Sequence, residues 1–128
     1  MNTVEWLHKT LKHEASFPLN GRIIDIQARR PRAVCKDGFS VSIQAGASLY
    51  CRPRQDWLYE YDSVELGFPS APDELIEEYA EDPEDLTGTV YGYVPVELVD
   101  QLLEKHGGIV DDEDVLQTDS DREQESEG

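Results

Sequence analysis

Positive charge is scarce in this chain. Eleven Lys and Arg stand against 28 Asp and Glu, a net charge of −17 over 128 residues, and neither basic residue type occurs between Arg54 and Lys105. Cysteine is rarer still. Cys35 and Cys51 are the only two and form no CxxC pair, which excludes a disulfide framework and agrees with a reducing compartment. No apolar run reaches the ~18 residues of a membrane span. The N-terminal "MNTVEWLHKTLKHE" lacks the apolar stretch of a secretory signal. A cytoplasmic protein with no membrane association is therefore expected. Phosphate loop, nucleophile elbow and HExxH are missing too, and His8, His13 and His106 show no ligand spacing. Zinc held by both cysteines and a histidine would call for a paired motif, which is absent. The expectation is a non-enzyme without cofactor or metal.

What charge there is lies unevenly. Residues 1–68 hold nine Lys/Arg and eight Asp/Glu (+1), whereas residues 69–128 hold two Lys/Arg and twenty Asp/Glu (−18). Residues 22–54 carry seven basic groups against two acidic ones. A basic middle thus precedes a very acidic C-terminal half. Adaptation to salt should spread acid over every exposed face, which this chain does not do. Plain solvation and a positively charged partner are the other two explanations.

Periodicity gives an α+β domain over residues 1–110, a mostly antiparallel sheet with N-terminal, middle and C-terminal helices, followed by an acidic tail at 111–128. "NTVEWLHKTLKHE" reads as a helix with a capping box at Asn2 and Glu5. "GRIIDIQA" reads as a strand. "RAVCKDGFSVSIQA" reads as a hairpin turning on Asp37-Gly38, with Phe39, Val41, Ile43 and Ala45 on one buried face. "SLYCRP", "SVELGFP" and "GTVYGYVP" read as further strands. "PVELVDQLLEKHGG" is a helix begun by Pro95 and ended by Gly107, with Ile109 closing its end.

The middle helix is the distinctive element. In "DELIEEYAED", residues 73–82, acids and apolar residues alternate two by two. Ser70, Pro72 and Asp73 suit a helix start and Pro83 a stop. A helix would put Asp73, Glu77 and Glu81 in one row and Glu74, Glu78 and Asp82 in the next, opposite Leu75, Ile76, Tyr79 and Ala80. Its six charges would be spaced about 2.3 Å apart at a ~1.5 Å rise, comparable with the ~1.7 Å per charge of duplex DNA. Four like-charge i,i+4 pairs would cost roughly 0.2–0.5 kcal/mol each, with no basic residue to relieve them. Glu84 and Asp85 extend the acid into the next loop, and Asp111, Asp112, Glu113 and Asp114 make a second patch. These residues are the candidate surface for a basic, nucleic-acid-binding protein partner, with direct binding of nucleic acid not expected. The bland alternative is an amphipathic helix with a solvated outside.

Arg-Pro-Arg occurs twice, at Arg30–Arg32 and Arg52–Arg54. If neighbouring strands gathered these guanidiniums at one rim beside Tyr50 and Trp57, Arg30, Arg32, Arg52 and Arg54 could capture an anionic, nucleotide-like molecule. Pairing with the chain's own surplus acid is the simpler alternative.

"CKDGFSVSIQA", "YCRPR", "VELGFPS" and "TGTVYGYVPVELVDQLLEKHGGI" resemble a family of small acidic proteins encoded by bacteriophages and prophages, over about residues 34–110. The long acidic tail departs from that pattern. The resemblance implies a phage accessory protein working in the host cytoplasm, inhibiting a host nucleic-acid-binding defence complex by DNA mimicry. It supplies no catalytic residues.

Overall fold

The capping box forms as the sequence dictates. Asn2 Oδ1 accepts from Glu5 N at 2.8 Å while the Glu5 carboxylate reaches back to Asn2 N at 3.5 Å, opening α1 (Thr3–Lys9). The computed structural model describes residues 1–110. The expected tail at 111–128, with Asp111, Asp112, Glu113 and Asp114, lies outside the described residues.

α1 does not run on to Glu14. Thr10 Oγ1 donates back to Trp6 O at 2.6 Å, competing with the next helical turn. The chain then becomes β1 (His13–Leu19), paired antiparallel with β2 (Arg22–Gln27). Asn20 and Gly21 join them with φ of 52° and 79°, the two positive angles that a two-residue hairpin turn requires. This hairpin is a separate two-stranded sheet, and all of β1 is exposed.

A second sheet carries the core in the order β3 (Ala33–Val34), β4 (Ser40–Gln44), β5 (Ser63–Gly67) and β6 (Val90–Pro95), all antiparallel. The β3–β4 turn spans three residues rather than two. Cys35 N donates to Phe39 O at 2.8 Å, Gly38 N to Cys35 O at 3.0 Å, and Gly38 takes φ 96°. Phe39, Val41, Ile43 and Ala45 are buried as their alternation predicts. Ser42 and Gln44 are buried as well, so β4 is covered on both faces. Gln44 is satisfied there by two bonds to the Arg30 backbone, at 2.9 and 2.7 Å. The expected strand "SLYCRP" shrinks to a single bridge between Arg52 and Ser63.

α2 (Val96–Lys105) follows Pro95 directly and buries Val96, Val99, Leu102 and Leu103. Gly107 and Gly108 adopt φ of 90° and 86°, which lets their amides reach Glu104 O and Leu103 O at 3.1 and 2.8 Å and close the helix end. Ile109 is buried and bridges Cys35. Asp100 on α2 accepts from both Thr3 N (2.9 Å) and Thr3 Oγ1 (2.5 Å), clasping the two helices together. One cluster of buried side chains unites Trp6 and Leu7 of α1, the sheet and α2. No helix among the described residues is long and apolar enough to cross a membrane.

The middle α-helix is the main correction to the sequence reading. Residues 73–82 form successive turns with one short 3₁₀ segment, Glu77–Tyr79. The bonds Ile76 N to Asp73 O, Tyr79 N to Ile76 O and Ala80 N to Glu77 O are all i,i+3. Two competing demands defeat the α-helix. Ser70, its expected cap, instead accepts from Ser40 N at 2.9 Å. Ala80 is pulled into extended geometry (φ −63°, ψ 129°) by its bridge to Tyr91, with Glu81 N donating to Val90 O at 2.9 Å. Like-charge repulsion along the segment adds its own bias against i,i+4 stacking.

Because β1–β2 projects outside the core, stability should respond unequally to substitution. Leu103→Ala, at a fully buried site, is expected to cost about 2–5 kcal/mol. Ile23→Thr, 67% exposed, should stay within about 0.5 kcal/mol. Urea unfolding of both variants checks this, and a large loss at Ile23 would show that the hairpin packs against something else.

Candidate functional site

Loss of the helix redistributes the acids. Asp73 turns inward and is 5% exposed. Its carboxylate accepts from Leu75 N at 3.0 Å, from His106 Nε2 at 2.9 Å and from Lys105 Nζ at 3.1 Å. His106 Nδ1 lies 2.6 Å from Asp37 Oδ2, and its ring stacks on Phe39 with centroids 3.9 Å apart. A carboxylate can only accept, so both ring nitrogens donate and His106 is an imidazolium. Burial pulls its pKa down, but bonds to Asp73 and Asp37 outweigh this and hold it above the usual 6.5. Burial pushes Asp73 up, and the Leu75 amide, His106 and Lys105 more than reverse it. Asp37 lies low because the Phe39 amide and His106 both bond to it. Asp73 therefore leaves the candidate surface and becomes its anchor.

Glu74, Glu77, Glu78, Glu81, Asp82, Glu84 and Asp85 are exposed, and none forms an ion pair among the described residues. They no longer stand in two i+4 rows, so the regular spacing expected of a helical ladder is absent. Their backbone is nonetheless tied down. Ile76 is fully buried between them, Asp82 N donates to Thr89 Oγ1 at 3.1 Å, and Asp82 Oδ1 accepts from Glu84 N at 3.1 Å. Tyr91, wholly buried, donates its hydroxyl to Leu86 O at 2.5 Å. Gly88 N donates to Asp85 O at 3.0 Å. The acids thus sit on a braced loop.

The four arginines do not gather. Arg30 is buried, donating to Ala45 O at 2.8 Å and Leu7 O at 3.2 Å. Arg32 donates to Ser40 Oγ at 2.8 Å and to Phe68 O. Arg52 bridges Ser63, at the other end of β5 from Phe68, so Arg32 and Arg52 reach opposite ends of that strand. No arginine makes an ion pair among the described residues. Arg52 and Arg54 lie instead over the rings of Tyr93 and Tyr50, 5.4 and 5.5 Å from their centroids.

Those rings belong to a groove of about 400 Å³ lined by Tyr50, Tyr79, Glu81, Gly92 and Tyr93. It is built by a bulge. Val64 pairs with Val94 and Leu66 with Tyr91, so Gly92 and Tyr93 together oppose Glu65. Tyr93 takes φ 55° and turns out to 38% exposure, while Tyr91 two residues earlier is buried. Simple alternation in a regular strand would put both tyrosines on one face. The glycine inside the strand is the signal that a bulge was coming. A Cβ at Gly92 would come within 3.2 Å of Tyr50 Cβ, so glycine lets Tyr50 lie against the strand.

The β1–β2 hairpin also brings together a Ser, a His and an Asp. Ser16 Oγ lies 2.7 Å from His13 Nε2 and donates to Asp25 Oδ1 at 2.6 Å. Nucleophilic catalysis needs the carboxylate on the other ring nitrogen, orienting the imidazole as base. Here Asp25 approaches the same Nε2, at 3.5 Å, and itself accepts the hydrogen bond from the Ser16 hydroxyl. The cluster is a polar surface network. Cys35 and Cys51 are both buried and free, with burial and then Asp37 pushing Cys35 up to about 11. Among the described residues no three His, Cys, Asp or Glu are placed to hold a metal ion.

No family model, curated protein or solved structure matches the chain.

The Asp37–His106–Asp73 bridge should bound stability on both sides of neutrality. His106, raised on folding, contributes below its usual 6.5, and this is lost as pH climbs through the elevated value. Asp37 and Asp73, depressed on folding, contribute above their usual 3.8, and this is lost as pH falls through the lowered values. His106→Gln should lower stability by roughly 1–3 kcal/mol near pH 6 and remove the alkaline decline. Thermal unfolding from pH 3 to pH 9 measures both limbs; an unchanged alkaline limb in the variant would refute the assignment.

Proposed function

We propose that this chain is a binding protein that presents the loop carrying Glu74, Glu77, Glu78, Glu81, Asp82, Glu84 and Asp85 to a positively charged protein surface, such as one that normally grips nucleic acid. The observation carrying this reading is seven exposed acids on a braced backbone, with no ion pair among the described residues to neutralise them. A solvated face gains little from holding like charges together, whereas a preorganised array loses less entropy on binding. The same charge disfavours direct contact with nucleic acid. Inhibition of a host nucleic-acid-binding defence complex, as the resemblance to phage accessory proteins implies, fits this surface. Mimicry would rest on charge density, because the regular ladder is gone.

A tagged chain should capture a basic protein from bacterial lysate at low salt and release it as salt rises. Glu77→Lys, Glu78→Lys and Glu81→Lys together place like charges at the interface, a cost of several kcal/mol that should abolish capture. Arg52→Ala with Arg54→Ala should leave capture intact. The reverse pattern, with a nucleotide released on heating, would instead support the arginines as an anion site.

A further inference from the structure

The acidic loop and the tyrosine groove share two residues, Tyr79 and Glu81. The groove is therefore continuous with the proposed binding face. Three tyrosines and one carboxylate line it, and neither Arg52 nor Arg54 does. We infer that this groove takes a single guanidinium or ammonium side chain of the basic partner, held against Tyr50, Tyr79 and Tyr93 and charge-paired with Glu81. The inference rests on the acidic-face reading and adds a specific anchor to it.

Three observations converge. Aromatic faces attract cations, and a carboxylate beside them supplies the hydrogen-bond acceptor that a desolvated guanidinium needs. Tyr50 and Tyr93 already accept guanidiniums, from Arg54 and Arg52, at cation–π distance, with their centroids 6.0 Å apart. Tyr93 is held exposed in a left-handed conformation that favours Gly or Asn and is costly for an aromatic residue, a form of local strain that clusters at binding sites. Glu81, the one charged residue in the lining, gives a cation a direct charge partner in the groove that an anionic ligand would lack, while Arg52 and Arg54 stand over two of the rings outside the lining.

A labelled arginine homopeptide, titrated into the whole chain by fluorescence anisotropy at several salt concentrations, tests this. Tyr93→Asn removes the ring with a residue suited to the left-handed backbone, and Tyr50→Leu removes the second ring. Each should weaken binding about fivefold to thirtyfold without changing the salt slope. Tyr93→Phe should restore affinity, because the ring and not the hydroxyl is used. Circular dichroism melts confirm that each variant is folded. Wild-type affinity in both folded tyrosine variants would overturn the groove while leaving the acidic loop standing. Failure of the peptide to bind the wild type would overturn both. Binding of adenosine monophosphate, lost in Arg52→Ala with Arg54→Ala, would overturn the groove's preference for cations.

Discussion

One imidazolium holds three parts of this protein in place. His106 sits at the end of α2, donates to Asp37 in the β3–β4 turn and to Asp73 at the root of the acidic loop, and stacks on Phe39. A neutral imidazole could not donate to two carboxylates at once, because only the doubly protonated ring has two donors. Lys105 adds a second cation to Asp73, at 3.1 Å. The two basic residues at the helix C-terminus also oppose its dipole favourably. Lys105 and His106 thus act where the acidic loop begins, and among the described residues the rest of that loop has no ion pair.

This arrangement explains why the acidic segment is legible in composition and illegible in conformation. Two-by-two alternation is a sound helical signal when the chain is free to choose. Here Asp73 is drawn inward by Lys105 and His106, residues more than thirty positions away, and Ala80 is drawn into a bridge with Tyr91. Neither demand is visible locally. Tertiary partners override the pattern because each i,i+4 repulsion of roughly 0.2–0.5 kcal/mol already weakens the helix that the pattern proposes.

Elements whose signals are local are read correctly. The capping box at Asn2 and Glu5, the alternation Phe39–Ala45, Pro95 at the start of α2 and Gly107 at its end all form as written. The turn at Asn20-Gly21 is missed although its residues suit one, because the expected first helix runs on to Glu14. Non-local geometry is another matter. The sequence leaves open whether the arginines meet, and only the register of β4 and β5 decides that Arg32 reaches Phe68 while Arg52 reaches Ser63. Of the eight candidate acids among the described residues, seven remain exposed and one becomes structural, and the place of Tyr93 in the groove is found only once the bulge at Gly92 is seen.

The bulge also separates packing from display. Tyr91 contributes a fully buried ring and a hydroxyl bond to Leu86, which braces the loop from below. Tyr93 contributes neither and takes a backbone conformation that costs an L-residue on the order of 1 kcal/mol. Asparagine or glycine would serve the bulge with less strain, so local folding alone gives no reason for an aromatic residue there. Arg52 recovers part of that cost by lying over the ring, yet at an exposed site such a contact yields only about 0.5–1 kcal/mol. A strained, outward-facing tyrosine beside an acidic loop gains its full contact area only when something else covers it.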